Sequence, residues 1–177
     1  KVEVEFFFND GDSFKAGDKL AKIFGDARYI LIGERLALNF VQKMSGIATM
    51  SRKFQDKVSK YDVRIVDTRK NTPNFRLFEK YSVRVGCNHI HRFNLSDSVM
   101  LKDNHIALYG GSITRAVEEV KKNLSHVHKI EVECDTIEQV KEALSCGVDI
   151  IMLDNMTCEQ MKECTSLIGN KAIIEAS

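Results

Sequence analysis

Apolar residues recur with two different periods along the first third of the chain. Residues 2–8 alternate and then become wholly apolar, and residues 20–24 form a second apolar run, which together predict a small β-rich segment. Between about residues 34 and 61, apolar side chains recur every three or four positions, which predicts one long amphipathic helix. The chain therefore begins with a short β-rich segment that leads into a long helix.

The stretch from residue 63 to residue 105 combines short apolar runs with many charges. Residues 63–66 are β-branched and largely apolar, which predicts a buried strand, and residues 98–101 predict a second one. Residues 75–81 predict a short helix. We assign its charged side chains to a solvated face: Arg76, Glu79 and Lys80.

The last third of the chain repeats a strand and a helix. Thr136 with Gln139, and Thr157 with Gln160, have the spacing of a capping box, which marks two helix starts. A spacing of about 20 residues between strands favours right-handed βαβ crossovers and a parallel sheet. Because the chain starts at Lys1 and stops directly after a predicted strand, we expect it to be truncated at both ends. The predicted strands are 129–133, 149–153 and 171–175, and the predicted helices are 112–124, 136–146 and 157–167.

Composition argues against several classes of partner. The chain has 26 Lys and Arg against 25 Asp and Glu, and a net charge of +1 gives no support for nucleic-acid or membrane binding. No apolar run approaches the roughly 20 residues of a membrane span. The five cysteines form no C-x-x-C pair, which favours a reducing cytoplasm over a disulfide framework.

Charged groups just after predicted strands indicate where chemistry takes place, because α/β proteins place their active sites at the carboxyl ends of strands. Arginine pairs with carboxylates through two hydrogen bonds and lysine acts as a point charge, so a cationic cluster suits a small polyanionic substrate. Two carboxylates at neighbouring strand ends suit Mg²⁺ held jointly with substrate phosphates. Alternating His89 and His91 keep a zinc site open as an alternative. The candidate cations are Arg69, Lys70, His91, Arg92 and Lys102, and the candidate carboxylates are Glu133 and Asp154.

Seven short motifs resemble those of the quinolinate phosphoribosyltransferases, also called nicotinate-nucleotide pyrophosphorylases (carboxylating). They occur in the order of that family and extend over residues 1–177. No single motif is decisive, but seven in register are highly specific. The motifs are residues 34–40 (ERLALNF), 45–49 (SGIAT), 67–70 (DTRK), 91–92 (HR), 101–105 (LKDNH), 131–133 (EVE) and 152–155 (MLDN).

This resemblance implies an α/β fold with two domains. Residues 1–60 would belong to a small N-terminal α/β sandwich that includes the long helix. Residues 61–177 would belong to an incomplete, open α/β barrel that carries the catalytic site. The implied reaction transfers a phosphoribosyl group from phosphoribosyl pyrophosphate to quinolinate with decarboxylation, in NAD biosynthesis. It gives nicotinate mononucleotide, pyrophosphate and CO2, and it requires Mg²⁺.

The resemblance also implies roles for individual residues by motif position. The two carboxylates of quinolinate would be bound by Arg35, Arg69, His91, Arg92 and Lys102. Lys70 would lie between quinolinate and the phosphoribosyl donor, and Glu133 and Asp154 would hold the ribose hydroxyls and Mg²⁺. The candidate catalytic residues are thus Lys70, Lys102, Glu133 and Asp154. In a homodimer, Arg35 would enter the active site of the partner subunit.

One departure from the family pattern and several other functions stay open. The family has a glycine-rich run before its His-Arg pair, where this chain has residues 86–90 (GCNHI), and a positive φ there would strain Cys87. A related phosphoribosyltransferase acting on another nitrogenous acid, such as nicotinate, is one alternative. A barrel aldolase with Lys102 as its Schiff-base lysine is another, and a non-catalytic binding protein is a third.

Overall fold

The computed structural model describes residues 1–87 and 89–177, which form two compact units, Lys1–Phe93 and Asn94–Ser177. The first unit contains β1 (Val2–Phe6), β2 (Ala21–Gly25), α1 (Ala27–Val58) and α2 (Arg76–Cys87). The second contains β3 (Val99–Leu101), α3 (Asp103–Ala107), α4 (Ile113–Asn123), β4 (Ile130–Cys134), α5 (Ile137–Ser145), β5 (Ile150–Leu153), α6 (Cys158–Ile168) and β6 (Ile173–Ala176). The predicted α/β class is confirmed, while the predicted domain boundary after residue 60 falls inside the first unit.

The N-terminal hairpin and the long helix form as their apolar patterns predict. Strands β1 and β2 pair antiparallel, with Val2 opposite Gly25. The carboxylate of Asp26 caps α1 by accepting from the backbone N of Arg28 at 2.9 Å, so the helix starts at Ala27 rather than near residue 34. No helix among the described residues combines the length and apolar character that a membrane span requires.

The prediction of a buried strand at residues 63–66 is wrong. Val63 is 51% exposed, and no strand of the described chain pairs with this segment. Its contacts are to helices instead: the N of Ile65 donates to Oε1 of Gln55 at 3.4 Å, and Sγ of Cys87 donates to the carbonyl of Ile65 at 3.5 Å. β-branched residues favour an extended backbone, but a strand also needs a neighbouring strand to complete its hydrogen-bond ladder.

Helix α2 is longer than predicted, and this removes the strain expected at Cys87. The helix continues from Arg76 through Cys87, so Cys87 has helical backbone angles. Among the described residues other than glycine, only Asn74 and Asn155 have positive φ. Asn88, the next residue of the run that departs from the family pattern, lies outside the described residues.

The second unit is a parallel sheet with helices on one face. Strands β3, β4, β5 and β6 are neighbours in chain order, as the βα repeat predicts. Both predicted capping boxes are present, at the starts of α5 and α6. One face of the sheet packs against all three long helices, as expected when successive right-handed crossovers stay on one side. The buried residues at that contact include Val132, Ile151, Val117, Val140 and Ile168.

Helices α1 and α2 cross closely at Gly86. A Cβ atom at this position would overlap the carbonyl oxygen of Ala48 and would lie 2.6 Å from Cβ of Ser51. The guanidinium Nε of Arg52 also donates to the carbonyl of Gly86 at 2.8 Å. Glycine is therefore required here for the close approach of two helices, and not for an unusual φ.

We expect Gly86→Ala to lower the free energy of unfolding by about 2 to 4 kcal/mol, because the added methyl group must push two backbones apart. Gly46→Ala is the matched control, since Gly46 lies in α1 with open space where a Cβ would be. That change should be neutral or stabilising by about 0.5 to 1 kcal/mol. Urea unfolding of both variants measures the difference. Equal free energies of unfolding in the two variants would contradict the close contact of α1 and α2 at Gly86.

Candidate active site

The cationic loop, defined as residues 68–71, presents Arg69 and Lys70 between α1 and α2. It does not follow a strand, so the expected placement of these cations at a strand end is wrong. Lys70 is exposed, whereas Arg69 is half-buried and its Nε has no hydrogen-bond partner in the described part of the chain. Neither cation has a carboxylate partner among the described residues, which leaves both available to an anionic ligand.

A buried ion pair holds the N-terminal end of this loop. Nζ of Lys80 on α2 donates to both carboxylate oxygens of Asp67, at 2.9 and 2.7 Å. The same carboxylate accepts from the backbone N of His91 at 2.9 Å, which joins the segment that carries His91 and Arg92. Lys80 is only 1% exposed, so its predicted place on a solvated face is wrong.

A second carboxylate holds the C-terminal end of the loop. Glu79 on α2 accepts from the backbone N of Thr72 at 3.0 Å and from its hydroxyl at 2.7 Å. Nζ of Lys43 on α1 lies 3.1 Å from Glu79 and also donates to the hydroxyl of Thr72 at 3.2 Å. Burial acts to raise the pKa of the Glu79 carboxyl. The hydrogen bonds from Thr72, with further ones from Lys43 and Asn71, outweigh burial and lower that pKa to about 2.

A pocket adjoins the cationic loop at the start of α2. Its volume is about 280 Å³. Nε of Arg76 and Oδ1 of Asn71 are buried without a hydrogen-bond partner in the described chain, which suits a ligand with both acceptor and donor groups. The lining residues are Asn71, Thr72, Pro73, Asn74 and Arg76.

His91 and Arg92 are half-buried and lie outside any strand, so the alternation of His89 and His91 no longer places both on one face. The strand alternation on which the zinc alternative rested is therefore not found in this segment. Arg35 lies on α1 and is exposed, as are Ile32, one helical turn earlier, and Leu36, the next residue along the chain. Arg35 is thus on an exposed helix surface, whereas the segment that carries His91 and Arg92 is hydrogen-bonded to Asp67 at the start of the cationic loop.

In the second unit, the predicted carboxylates lie at the carboxyl ends of neighbouring strands, as expected. Glu133 on β4 pairs in register with Met152 on β5, and Asp154 follows β5 directly. The backbone N of Asp154 donates to the carbonyl of Cys134 at 3.0 Å, which extends the ladder past the strand end. Strand alternation places Glu133 and Asp154 on the sheet face opposite the helices, at its carboxyl edge.

Lys102 is the N-cap residue of α3 and directly follows β3, and its Nζ forms an ion pair with Oε2 of Glu133. The backbone N of Lys102 donates to Nδ1 of His105 at 3.0 Å, which fixes the chain where this lysine emerges. Lys102 is 46% exposed on its side chain, so the pair lies at an open edge.

The two carboxylates of this edge fit a hard divalent cation. Oδ2 of Asp154 accepts from the amide of Asn155 at 2.8 Å, and Oε2 of Glu133 is taken by Lys102. The other oxygen of each carboxylate has no donor among the described residues. Carboxylate oxygens are the ligands that Mg²⁺ prefers, usually one or two together with water and substrate phosphate.

The supporting residues are the ones that sequence reasoning missed. Asp67 belongs to a quoted motif but received no role, and Glu79 and Lys80 were assigned to solvent. A signal was present in the helix itself: Lys80 and Cys87 are seven residues apart, so they share one face of α2, and both are buried. A charged residue in phase with a buried face predicts a buried ion pair.

Two family models together match nearly the whole chain. Residues 47–177 match the family model of the quinolinate phosphoribosyl transferase C-terminal domain, and residues 1–45 match that of its N-terminal domain. The chain is 44% identical to the probable nicotinate-nucleotide pyrophosphorylase (carboxylating) of Synechocystis sp., over 99% of this chain and 60% of that protein.

Solved structures agree with this match. NadC from Streptococcus pyogenes has a TM-score of 0.94 at 45% identity, covering 100% of this chain and 62% of that one. The nicotinate-nucleotide pyrophosphorylase of Ehrlichia chaffeensis has a TM-score of 0.94 at 43% identity, covering 99% and 63%. The chain spans about three-fifths of the length of these relatives.

We expect Glu79 to make stability depend on pH in the acid range. Its folded-state pKa of about 2 lies below the ordinary value of 4.5, so its contribution is complete above pH 4.5 and is lost as the pH falls towards 2. The stability advantage of the wild type over Glu79→Gln should be on the order of 2 kcal/mol at pH 6 and should shrink steadily below pH 4.5. Urea unfolding at several pH values measures it, and a constant difference would contradict the assignment.

Proposed function

The chain belongs to the quinolinate phosphoribosyltransferase family, as its motifs predicted, and we propose that its protein is a carboxylating nicotinate-nucleotide pyrophosphorylase. The proposed reaction joins the phosphoribosyl group of phosphoribosyl pyrophosphate to the ring nitrogen of quinolinate and releases pyrophosphate and CO2. The product is nicotinate mononucleotide, a precursor of NAD. The enzyme is thus a pentosyltransferase.

The observation that carries this proposal is the cationic loop. Arg69 and Lys70 have no carboxylate partner among the described residues, although two acidic residues anchor the loop that presents them. A buried guanidinium Nε without a partner is costly, and a substrate carboxylate could pair with the Arg69 side chain through two parallel hydrogen bonds. We assign Arg69, together with Arg92, His91 and Lys102, to the two carboxylates of quinolinate, and Lys70 to the side facing the donor.

Glu133 and Asp154 are assigned to the ribose and to Mg²⁺. Attack by the ring nitrogen leaves positive charge on the sugar as pyrophosphate departs, and ionised carboxylates beside the ribose stabilise that charge. The same carboxylates would hold Mg²⁺, which supplies Lewis-acid stabilisation of the leaving pyrophosphate when bound. Decarboxylation then needs little from the protein, because the new pyridinium cation accepts the electron pair.

The alternative functions lack an observation in their favour. A Schiff-base aldolase requires a desolvated lysine, whereas the Lys102 side chain is 46% exposed and paired with a carboxylate. A nicotinate-specific relative would need fewer cations, because its substrate carries one carboxylate. A purely binding protein would not need two carboxylates on neighbouring strands beside a lysine.

We further propose that the protein is a homodimer that acts in the cytoplasm. No residue of α1 is buried within its own chain, and its exposed apolar side chains include Tyr29, Leu31, Ile32, Leu36 and Val41. Exposed apolar side chains in this number favour burial against a second copy. Arg35 lies among these residues, which supports its contribution to the partner's active site across an isologous interface. Five free cysteines suit a reducing compartment.

Arg69→Ala should weaken quinolinate binding by about 2 to 4 kcal/mol, because it removes one member of a desolvated charge pair. Calorimetric titration of quinolinate into the complete protein measures the loss. Unchanged quinolinate affinity in Arg69→Ala would show that Arg69 does not bind the substrate.

Asp154→Asn is the contrasting variant: it should reduce Mg²⁺-dependent turnover while leaving quinolinate affinity nearly unchanged. Equal losses of quinolinate binding and turnover in Asp154→Asn would show that Asp154 only shapes the pocket.

Sharing of active sites between subunits is tested by mixing two inactive variants, Arg35→Ala and Lys102→Ala. In a mixed dimer with shared sites, one site carries both changes and the other carries neither. Subunit exchange should therefore restore up to about half of the wild-type sites per mixed dimer. Mass spectrometry confirms the exchange. Absence of activity in exchanged dimers would show that Arg35 does not act across an interface.

A further inference from the structure

We infer that Asp67 and Glu79 are positioning residues that hold the cationic loop by both ends and keep Arg69 and Lys70 free for an anionic substrate. We call their contacts with Lys80, Thr72 and Lys43 the loop clamp. The inference rests on the proposed function for the identity of the substrate, but the clamp itself is defined by contacts within the first unit.

The clamp attaches the two ends of a short segment to one helix. Asp67 precedes the cationic loop and is bound by Lys80, while Thr72 follows the loop and is bound by Glu79. Glu79 and Lys80 are consecutive residues of α2. Because both ends of the segment are tied to adjacent positions of a rigid helix, the backbone between them has little freedom, and less entropy is lost when a ligand orders its side chains.

The clamp also separates the charges near the substrate site. Two carboxylates close to Arg69 and Lys70 would ordinarily form ion pairs with them and compete with an anionic ligand. Here each carboxylate has a lysine from a helix as its partner: Lys80 lies 2.7 Å from Asp67, and Lys43 lies 3.1 Å from Glu79. The acidic residues are thereby neutralised locally, and the loop cations keep their charge for the ligand.

Asp67 also couples the loop to a second candidate binding segment. Its Oδ1 accepts from Lys80 and from the backbone N of His91, so displacement of Asp67 would move the segment of His91 and Arg92 as well. None of the clamp residues needs to touch the substrate for this effect. Their changes should therefore alter how tightly the substrate binds through the geometry of other side chains.

Glu79→Gln is the test variant, because it keeps the size of the side chain. Glu79 accepts through both oxygens, from Thr72 N at Oε2 and from Thr72 Oγ1 and Lys43 Nζ at Oε1. Glutamine replaces one of these acceptors by an amino group, so one anchor of the loop is lost. Glu119→Gln is the matched control, since Glu119 pairs with Lys122 on the exposed surface of α4.

Two measurements on the complete protein decide the inference. Amide hydrogen exchange of residues 68–71 should accelerate about tenfold or more in Glu79→Gln, without a comparable rise at the amides of the first unit that exchange through other local openings, and it should not change in Glu119→Gln. Calorimetry should show a quinolinate Kd at least about tenfold higher in Glu79→Gln, with unchanged binding stoichiometry. A loss of folded protein would instead lower the stoichiometry and leave the Kd as in the wild type.

A double variant guards against misreading a folding defect. Asp67→Asn with Lys80→Met removes the buried pair without leaving an unpaired charge, and asparagine can still accept from the N of His91. It should raise the quinolinate Kd in the same way. Unchanged exchange in Glu79→Gln would overturn the clamp, and accelerated exchange with unchanged Kd in both variants would overturn its positioning role. If the wild type binds no quinolinate, the proposed function fails, while the exchange result still decides the clamp.

Discussion

The buried ion pair between Asp67 and Lys80 is the interaction on which the candidate binding loops depend. Two charges removed from water are tolerated only when they satisfy each other, and this carboxylate is satisfied by one lysine and one backbone amide. The pair fixes the start of the cationic loop against α2, and it fixes the segment that carries His91. The arrangement also explains why the arginine and lysine of the loop have no carboxylate partner in the described part of the chain.

In the second unit, the packing of the parallel sheet positions the candidate carboxylates. Its helices cover one face of a parallel sheet with apolar contacts, so the opposite face is left for polar groups. Glu131 and Glu133 on β4 and Glu175 on β6 have the alternation that places them there. The hydrogen-bonded register of neighbouring strands thereby sets the spacing of these carboxylates across the sheet.

The long helix α1 has two distinct surroundings along its length. Near its middle and C-terminal end it supplies Lys43 to the loop clamp and packs closely against Gly86 of α2. Nearer its N-terminus it presents apolar side chains and Arg35 to the surface. One helix thus supports the cationic loop of its own chain through Lys43 and leaves apolar side chains exposed nearer its N-terminus.

Local sequence patterns predicted many of the secondary-structure elements and several candidate site residues. The alternation in β1, the capping boxes at Thr136 and Thr157 and the βα repeat are short-range signals, and each predicted the element that forms. The motifs that carry Arg69, Lys102, Glu133 and Asp154 were also visible, because they are contiguous in the chain. Adjacent placement of Glu133 and Asp154 followed from strand order alone.

What the sequence could not decide depends on partners that are distant along the chain. Residues 63–66 have strand propensity but no strand beside them, so packing against helices overrides the local preference. Lys80 reads as a surface lysine until Asp67, thirteen residues earlier, is placed against it. A buried charge is stable only through its partner, and only the tertiary structure brings that partner within hydrogen-bond distance.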